Sequence, residues 1–221
     1  MGLTSYRFTE FNDLTKLNPL GLEGDLDAIK LSLKSIEVGT LNILQNEIKE
    51  MQSEMENDII IDDTIVQSNV DYLDYISSRQ ASNIIHNSMM ISIFSFLETR
   101  LLLLCKLIEP RNSILLNDIS GKGIYKYKKF LSKVHSIDFS SQQNEWELIT
   151  SYALLRNKLV HSQSVDFDIK KNSKEYIKLK KIEHLTVKEY SDKAFFYIDS
   201  QEFHNKYFQT VSKFLEFICY I

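Results

Sequence analysis

The sequence predicts a mainly α-helical fold: an up-and-down bundle of long helices with one small β-hairpin ahead of the last helix. Three observations carry this. Only 6 Gly and 2 Pro punctuate the 221 residues, too few for the turns of a many-stranded β fold. Apolar residues recur at helical spacing over most of the chain. Strand-like alternation is confined to YIKLKKIEHLTVKE and AFFYID, on either side of the polar turn YSDK. With 43% hydrophobic and 25% charged residues, the composition is that of a globular protein. We read residues 1–221 as a single domain, with 1–66 an N-terminal helical extension and 67–221 the core.

The segment to about Leu22 holds Pro19 and two glycines and is expected to be irregular. From Asp25 to about Glu56, Leu26, Ile29, Leu33, Ile36, Ile43, Leu44, Ile48, Met51 and Met55 predict a long helix. DIIIDDT then forms an acidic connection. A second long helix is expected from about Asn69 to Glu109, stopped by Pro110, because proline cannot continue the backbone ladder. A loop through Asn117–Gly123 leads to a helix from about Ile124 to Val134, and another follows from about Ser141 to His161. After the hairpin, Asp199 or Ser200 can cap a last helix holding Phe203, Tyr207, Phe208, Val211, Phe214, Leu215 and Ile218.

Cys105 and Cys219 both lie in apolar segments and read as core thiols of a reducing compartment. No charged-then-apolar leader opens the chain, so a cytoplasmic protein is expected. MMISIFSFLETRLLLLCKLI is interrupted by Glu98, Arg100 and Lys106, which favours a buried helix over a membrane span. Charge is unevenly spread. Residues 1–120 carry 9 Lys and Arg against 18 Asp and Glu, whereas 121–181 carry 13 against 6, a net of +7. A basic segment of that kind suits an anionic partner.

Inside it lies SYALLRNKLVHSQ. At about 100° per residue, Leu155, Leu148, Leu159, Tyr152, Ile149, Val160 and Ala153 fill half of the helical wheel, with Arg156 near the middle of that arc. Asn157 and His161, four apart, stack at its border. A guanidinium cannot shed its charge, and an unpaired buried charge costs several kcal/mol, so Arg156 needs an anion. The structural account is a pair with Glu98, itself on an apolar side of its helix, with His161 at a frayed helix end. The functional account is chemical. An imidazole can take a proton from a ribose 2′-hydroxyl or give one to a leaving oxygen, an arginine can hold the phosphate, and Asn157 can orient the imidazole. No metal or other cofactor is called for. One such histidine per chain supplies one proton-transfer group, so a two-fold dimer would supply both acid and base.

The block Arg156-Asn157-Lys158-Leu159-Val160-His161 resembles the R-N-x-x-x-H signature of the HEPN superfamily, many of whose members are metal-independent endoribonucleases of toxin, phage-defence and stress systems. The order of elements is similar too. A long helix with an aromatic–x–Glu stretch (Phe96-Leu97-Glu98) precedes a helix introduced by Gly121-Lys122-Gly123, and the motif helix follows. The resemblance covers roughly residues 70–220. It implies a HEPN-like bundle, catalysis by Arg156 and His161, support from Asn157 and Glu98, and a homodimer. The expected products carry a 2′,3′-cyclic phosphate and a 5′-hydroxyl. A cognate antitoxin or regulatory protein is a further possible partner, although Gln163 stands where some family toxins have a modified tyrosine. The competing expectation is a non-catalytic HEPN module that binds nucleotide or a protein.

Lys122, Lys126, Lys129 and Lys133 form one basic helical stripe with Tyr125 beside it. It reads as an RNA-tracking face with base stacking, or else as a solvated lysine face. Ser88, Ser92, Ser95 and Thr99 make a small-residue seam that lets another helix approach, within the fold or across a dimer. His86, His135, His184 and His204 show no paired metal-ligand spacing and read as scattered surface or core residues.

Overall fold

The longest apolar run of the chain is a helix buried along most of its length, and the other elements are arranged around it. The computed structural model describes residues 19–57, 82–109, 112–161 and 165–219. Within these lie six helices: α1 (Pro19–Asn57), α2 (Ser82–Ile108), α3 (Gly123–Val134), α4 (Gln143–His161), α5 (Ser173–Lys180) and α6 (Gln201–Cys219). Short 3-10 turns at Leu116–Asp118 and Ser140–Gln142 precede α3 and α4. Three strands, β1 (Val165–Asp168), β2 (Thr186–Tyr190) and β3 (Lys193–Tyr197), complete the fold. The predicted start of the second helix at Asn69, the DIIIDDT connection, the stop at Pro110 and the position of Gln163 lie outside the described residues.

α2 buries Ile85, Met89, Met90, Ile93, Phe94, Leu97, Leu101, Leu104, Cys105 and Ile108, an apolar surface broad enough to take several neighbouring elements. α1, α3, α4 and α6 all pack against it. Among the described residues no helix is long and apolar enough to cross a membrane. α6 is amphipathic: Phe203, Tyr207, Val211, Phe214, Leu215 and Ile218 face the core at spacings of three and four. Ser200, rather than Asp199, caps it. The Phe203 amide donates to Ser200 Oγ at 3.3 Å, while the Asp199 carboxylate accepts from Thr186 Oγ1 at 2.9 Å. Cys105 and Cys219 are both buried thiols, as expected; burial pushes the Cys105 pKa up to about 12. The Ser88, Ser92, Ser95 and Thr99 seam is exposed, with the Ser92 and Ser95 hydroxyls turned back onto backbone carbonyls one turn earlier.

Three expectations need correction. The chain is helical from Pro19, earlier than expected, since proline suits the first helical turn, where its missing N–H is not needed. Leu22 and Leu26 are buried in the core shared with α2 and α6, and Asp25 pairs with Arg100. The β-structure is a three-stranded antiparallel sheet of order β1-β3-β2, larger than a hairpin. β1 adds to the free edge of β3 with Val165 opposite Phe196 and Phe167 opposite Ala194. Finally, YIKLKK is helical. In α5, Tyr176 and Leu179 are buried; three apart, they share a helical face, whereas a strand would send them to opposite sides. The Tyr176 hydroxyl and Lys180 Nζ both donate to Glu189 Oε1, at 2.5 and 2.8 Å, tying α5 to β2.

Candidate functional site

The motif occupies the last two turns of α4, where the helix emerges from the core. Tyr152 fixes it there, fully packed with its ring 4.0 Å from that of Tyr207 and 5.8 Å from that of Phe203. One turn later Arg156 reaches the edge of the core and is half-buried. Its guanidinium lies over the Phe94 ring at 5.7 Å, and Nη1 donates to Asn157 Oδ1 at 3.2 Å. Nε is buried with no acceptor among the described residues. Burial holds the Tyr207 phenol well above its usual pKa, and the nearby Arg156 charge opposes that rise. Asn157 and His161 are exposed on one face. The three motif side chains therefore lie at one end of α4. Asn157 engages the guanidinium, and no hydrogen bond joins it to His161.

Glu98 is not the partner of Arg156. The ion pairs of the described residues include Arg100–Asp25, Lys170–Asp192, Lys180–Glu189, Lys206–Glu183 and Lys213–Glu145, and none joins Glu98 to Arg156. Glu98 sits instead at the start of α3, with Oε1 2.8 Å from where a Cβ on Gly123 would be. Neither the structural Arg156–Glu98 pair nor an orienting role for Glu98 through such a pair survives. Gly123 has φ +53°, a left-handed conformation costing other residues about 1–2 kcal/mol. Gly123→Ala adds contact with Glu98 to that cost. We expect it to destabilise the protein by at least about 1 kcal/mol, read as a lower urea midpoint; an unchanged midpoint would mean that α3 can start without this turn.

The basic stripe of α3 faces away from the core. Lys122, Lys129 and Lys133 are exposed and Lys126 is half-buried; Lys129 Nζ donates to Ser120 Oγ at 2.7 Å. Lys128, off the stripe, lies over Trp146 at 4.3 Å. Tyr125 stands edge to face with Trp146 at 5.7 Å and lines a cavity that also reaches Asn157. Of the proposed RNA-binding residues, Tyr125 is thus the one brought to the motif directly, with the stripe beside it on α3. The same cavity is lined by Lys174 and Lys178 of α5, which the sequence reading missed. With the stretch from Tyr176 onward taken as strand-like, the spacing of four between them did not register as one helical face.

No family model, curated protein or solved structure matches the chain. What the site can do must be read from its chemistry.

One further cluster escaped the sequence. His86 of α2 and His204 of α6, 118 residues apart, are both buried, and His86 Nδ1 lies 2.9 Å from His204 Nε2. His204 Nδ1 is buried without a partner. The less costly tautomer has His204 Nε2–H donating to His86, which leaves an acceptor rather than a donor unsatisfied. Burial first, and then the neighbouring His86, lower the His204 pKa from 6.5 to about 3. Two rings alone do not make a metal site, and no group of three His, Cys, Asp or Glu among the described residues could hold an ion.

Proposed function

We propose that the protein is an endoribonuclease of the HEPN type, a toxin, phage-defence or stress effector, cleaving RNA at a site formed where two copies of the chain meet. The observation that most supports this is the state of Arg156. Its guanidinium is half-buried and held by Asn157 and Phe94, yet among the described residues no carboxylate pairs with it and its Nε has no acceptor. A cation kept in that condition favours an incoming phosphate, which can take a bidentate pair of N–H donors.

In this reading His161 of one protomer removes the proton from a ribose 2′-hydroxyl. The 2′-oxygen forms a bond to phosphorus, and the bond from phosphorus to the 5′-oxygen breaks. The partner subunit's His161 delivers a proton to that leaving oxygen, giving a 2′,3′-cyclic phosphate and a 5′-hydroxyl. Arg156 stabilises the charge that builds on the phosphoryl oxygens. The motif supplies one imidazole per chain, His161, which is why the two-fold arrangement is needed.

The test is cleavage of single-stranded RNA, with end-group analysis, by wild type, Arg156→Lys and Arg156→Ala. Lysine keeps the charge and loses the planar fork, so Arg156→Lys should unfold at the wild-type midpoint and cut at least about tenfold more slowly, losing one charge-assisted hydrogen bond. Arg156→Ala should cost only about 1 kcal/mol of stability, the worth of its contact with Phe94. Full activity in Arg156→Lys would remove Arg156 from the mechanism. A wild type that binds RNA and never cuts it would favour the non-catalytic module.

A further inference from the structure

We infer that the cavity between α3, α4 and α5 is a nucleobase pocket, holding one base of the bound RNA strand beside the motif. This rests on the ribonuclease reading for the identity of the strand. The cavity measures about 280 Å³, at the small end of ligand sites, which run from about 300 to 1,000 Å³ for drug-sized molecules. It suits a single base better than a dinucleotide.

Its walls match a base in kind. Tyr125 is 51% exposed and is steadied by Trp146 behind it, so an ordered aromatic surface is offered to the solvent. Leu154 supplies an apolar wall. Base stacking on such a ring needs no particular sequence, because every base has a π-face. Lys174 and Lys178 bring two ammonium groups, and neither belongs to an ion pair among the described residues. Lys178 is half-buried; burial lowers its pKa, against the pull of Glu147. An ammonium partly removed from water and left unpaired gains from an anion, and the phosphate attached to a seated base provides one. Glu175 also lines the cavity. A carboxylate only accepts hydrogen bonds, so it favours a base edge carrying an exocyclic amine over uracil, whose edge presents two carbonyls around a single N–H.

The placement is equally specific. Thr150, Leu154, Asn157 and His161 are spaced by four, three and four along α4 and share one face, and the first three line the cavity. His161 therefore stands about 6 Å further along the helix axis than Asn157. A strand seated in the pocket reaches His161 without leaving this face, and Arg156 stands about 100° round the helix from Asn157. The lysine stripe of α3 flanks Tyr125 on the side away from α4.

The experiment measures two quantities on the full chain. The first is binding of the non-cleavable tetranucleotides 2′-O-methyl-C4 and 2′-O-methyl-U4; the second is kcat and KM on a cleavable single strand. Tyr125→Ala should weaken binding of 2′-O-methyl-C4 about tenfold, the worth of one base–aromatic stack, and raise KM with kcat nearly unchanged. Lys178→Gln should weaken both oligonucleotides and reduce the salt dependence of binding. Glu175→Gln should narrow the preference for C4 over U4. Should Tyr125→Ala and Lys178→Gln leave both binding and KM unchanged in a protein that cuts RNA, the pocket is wrong and the ribonuclease stands. Should they weaken binding in a protein that cuts nothing, the pocket stands and the catalytic reading falls. A wild type that binds neither oligonucleotide overturns the pocket outright.

Discussion

His161→Ala is expected to slow RNA cleavage at least about 100-fold, the usual contribution of one positioned acid–base group, while the protein folds normally. The two halves of this expectation have separate grounds. His161 is exposed at the end of α4, where truncating a side chain leaves no cavity and costs little stability. In the proposed mechanism its imidazole is also the proton-transfer group. In a two-fold site the same substitution removes acid and base together, so the loss should exceed that of Arg156→Lys. Single-turnover cleavage, with thermal unfolding on the same samples, checks both halves. A folded His161→Ala protein that cuts at the wild-type rate would end the catalytic assignment.

Acid should unfold this protein sooner than its surface carboxylates alone would cause, because of the His86–His204 pair. His204 is neutral when folded and has a pKa of about 3, against 6.5 for an unburied histidine. Between those values the unfolded chain binds a proton that the folded one refuses, so stability falls as pH falls. The loss starts below about 6.5 and is complete near 3, where both states are protonated. At about 1.4 kcal/mol for each pH unit between them, the total reaches several kcal/mol, a large part of a typical domain's stability. Protonation would also put an N–H on His204 Nδ1, which has no acceptor. Urea midpoints taken from pH 7 to pH 4 should fall more steeply in the wild type than in His86→Leu/His204→Leu, where both partners become apolar together. Parallel slopes would show that the pair titrates as freely as an exposed histidine.

Much of the site was legible in sequence because its members are neighbours in sequence. Arg156, Asn157 and His161 fall on one helix, and the 3.6-residue period alone says which of them share a face. The same period placed Arg156 near the middle of an apolar arc, whereas in the structure it is only half-buried. Glu98 shows where that kind of reasoning stops. Its apolar helical neighbours were visible, but the direction in which the carboxylate points depends on how α3 crosses α2, and it points to Gly123. The Lys174 and Lys178 wall was hidden for a local reason: a short helix with alternating lysines imitates a strand until its buried face is known.

By itself the sequence determined the helical class, the course of α2, α3, α4 and α6, the burial of both cysteines and the cluster of residues at the end of α4. These follow from periodicity and from the scarcity of Gly and Pro, which act over a few residues at a time. Only the tertiary structure decided that β1 joins β3, that Glu98 does not pair with Arg156, and that His86 meets His204 across 118 residues of chain. Each of these depends on which elements pack side by side. Packing selects among partners by shape and by the cost of leaving polar groups unpaired, and no local pattern encodes that choice.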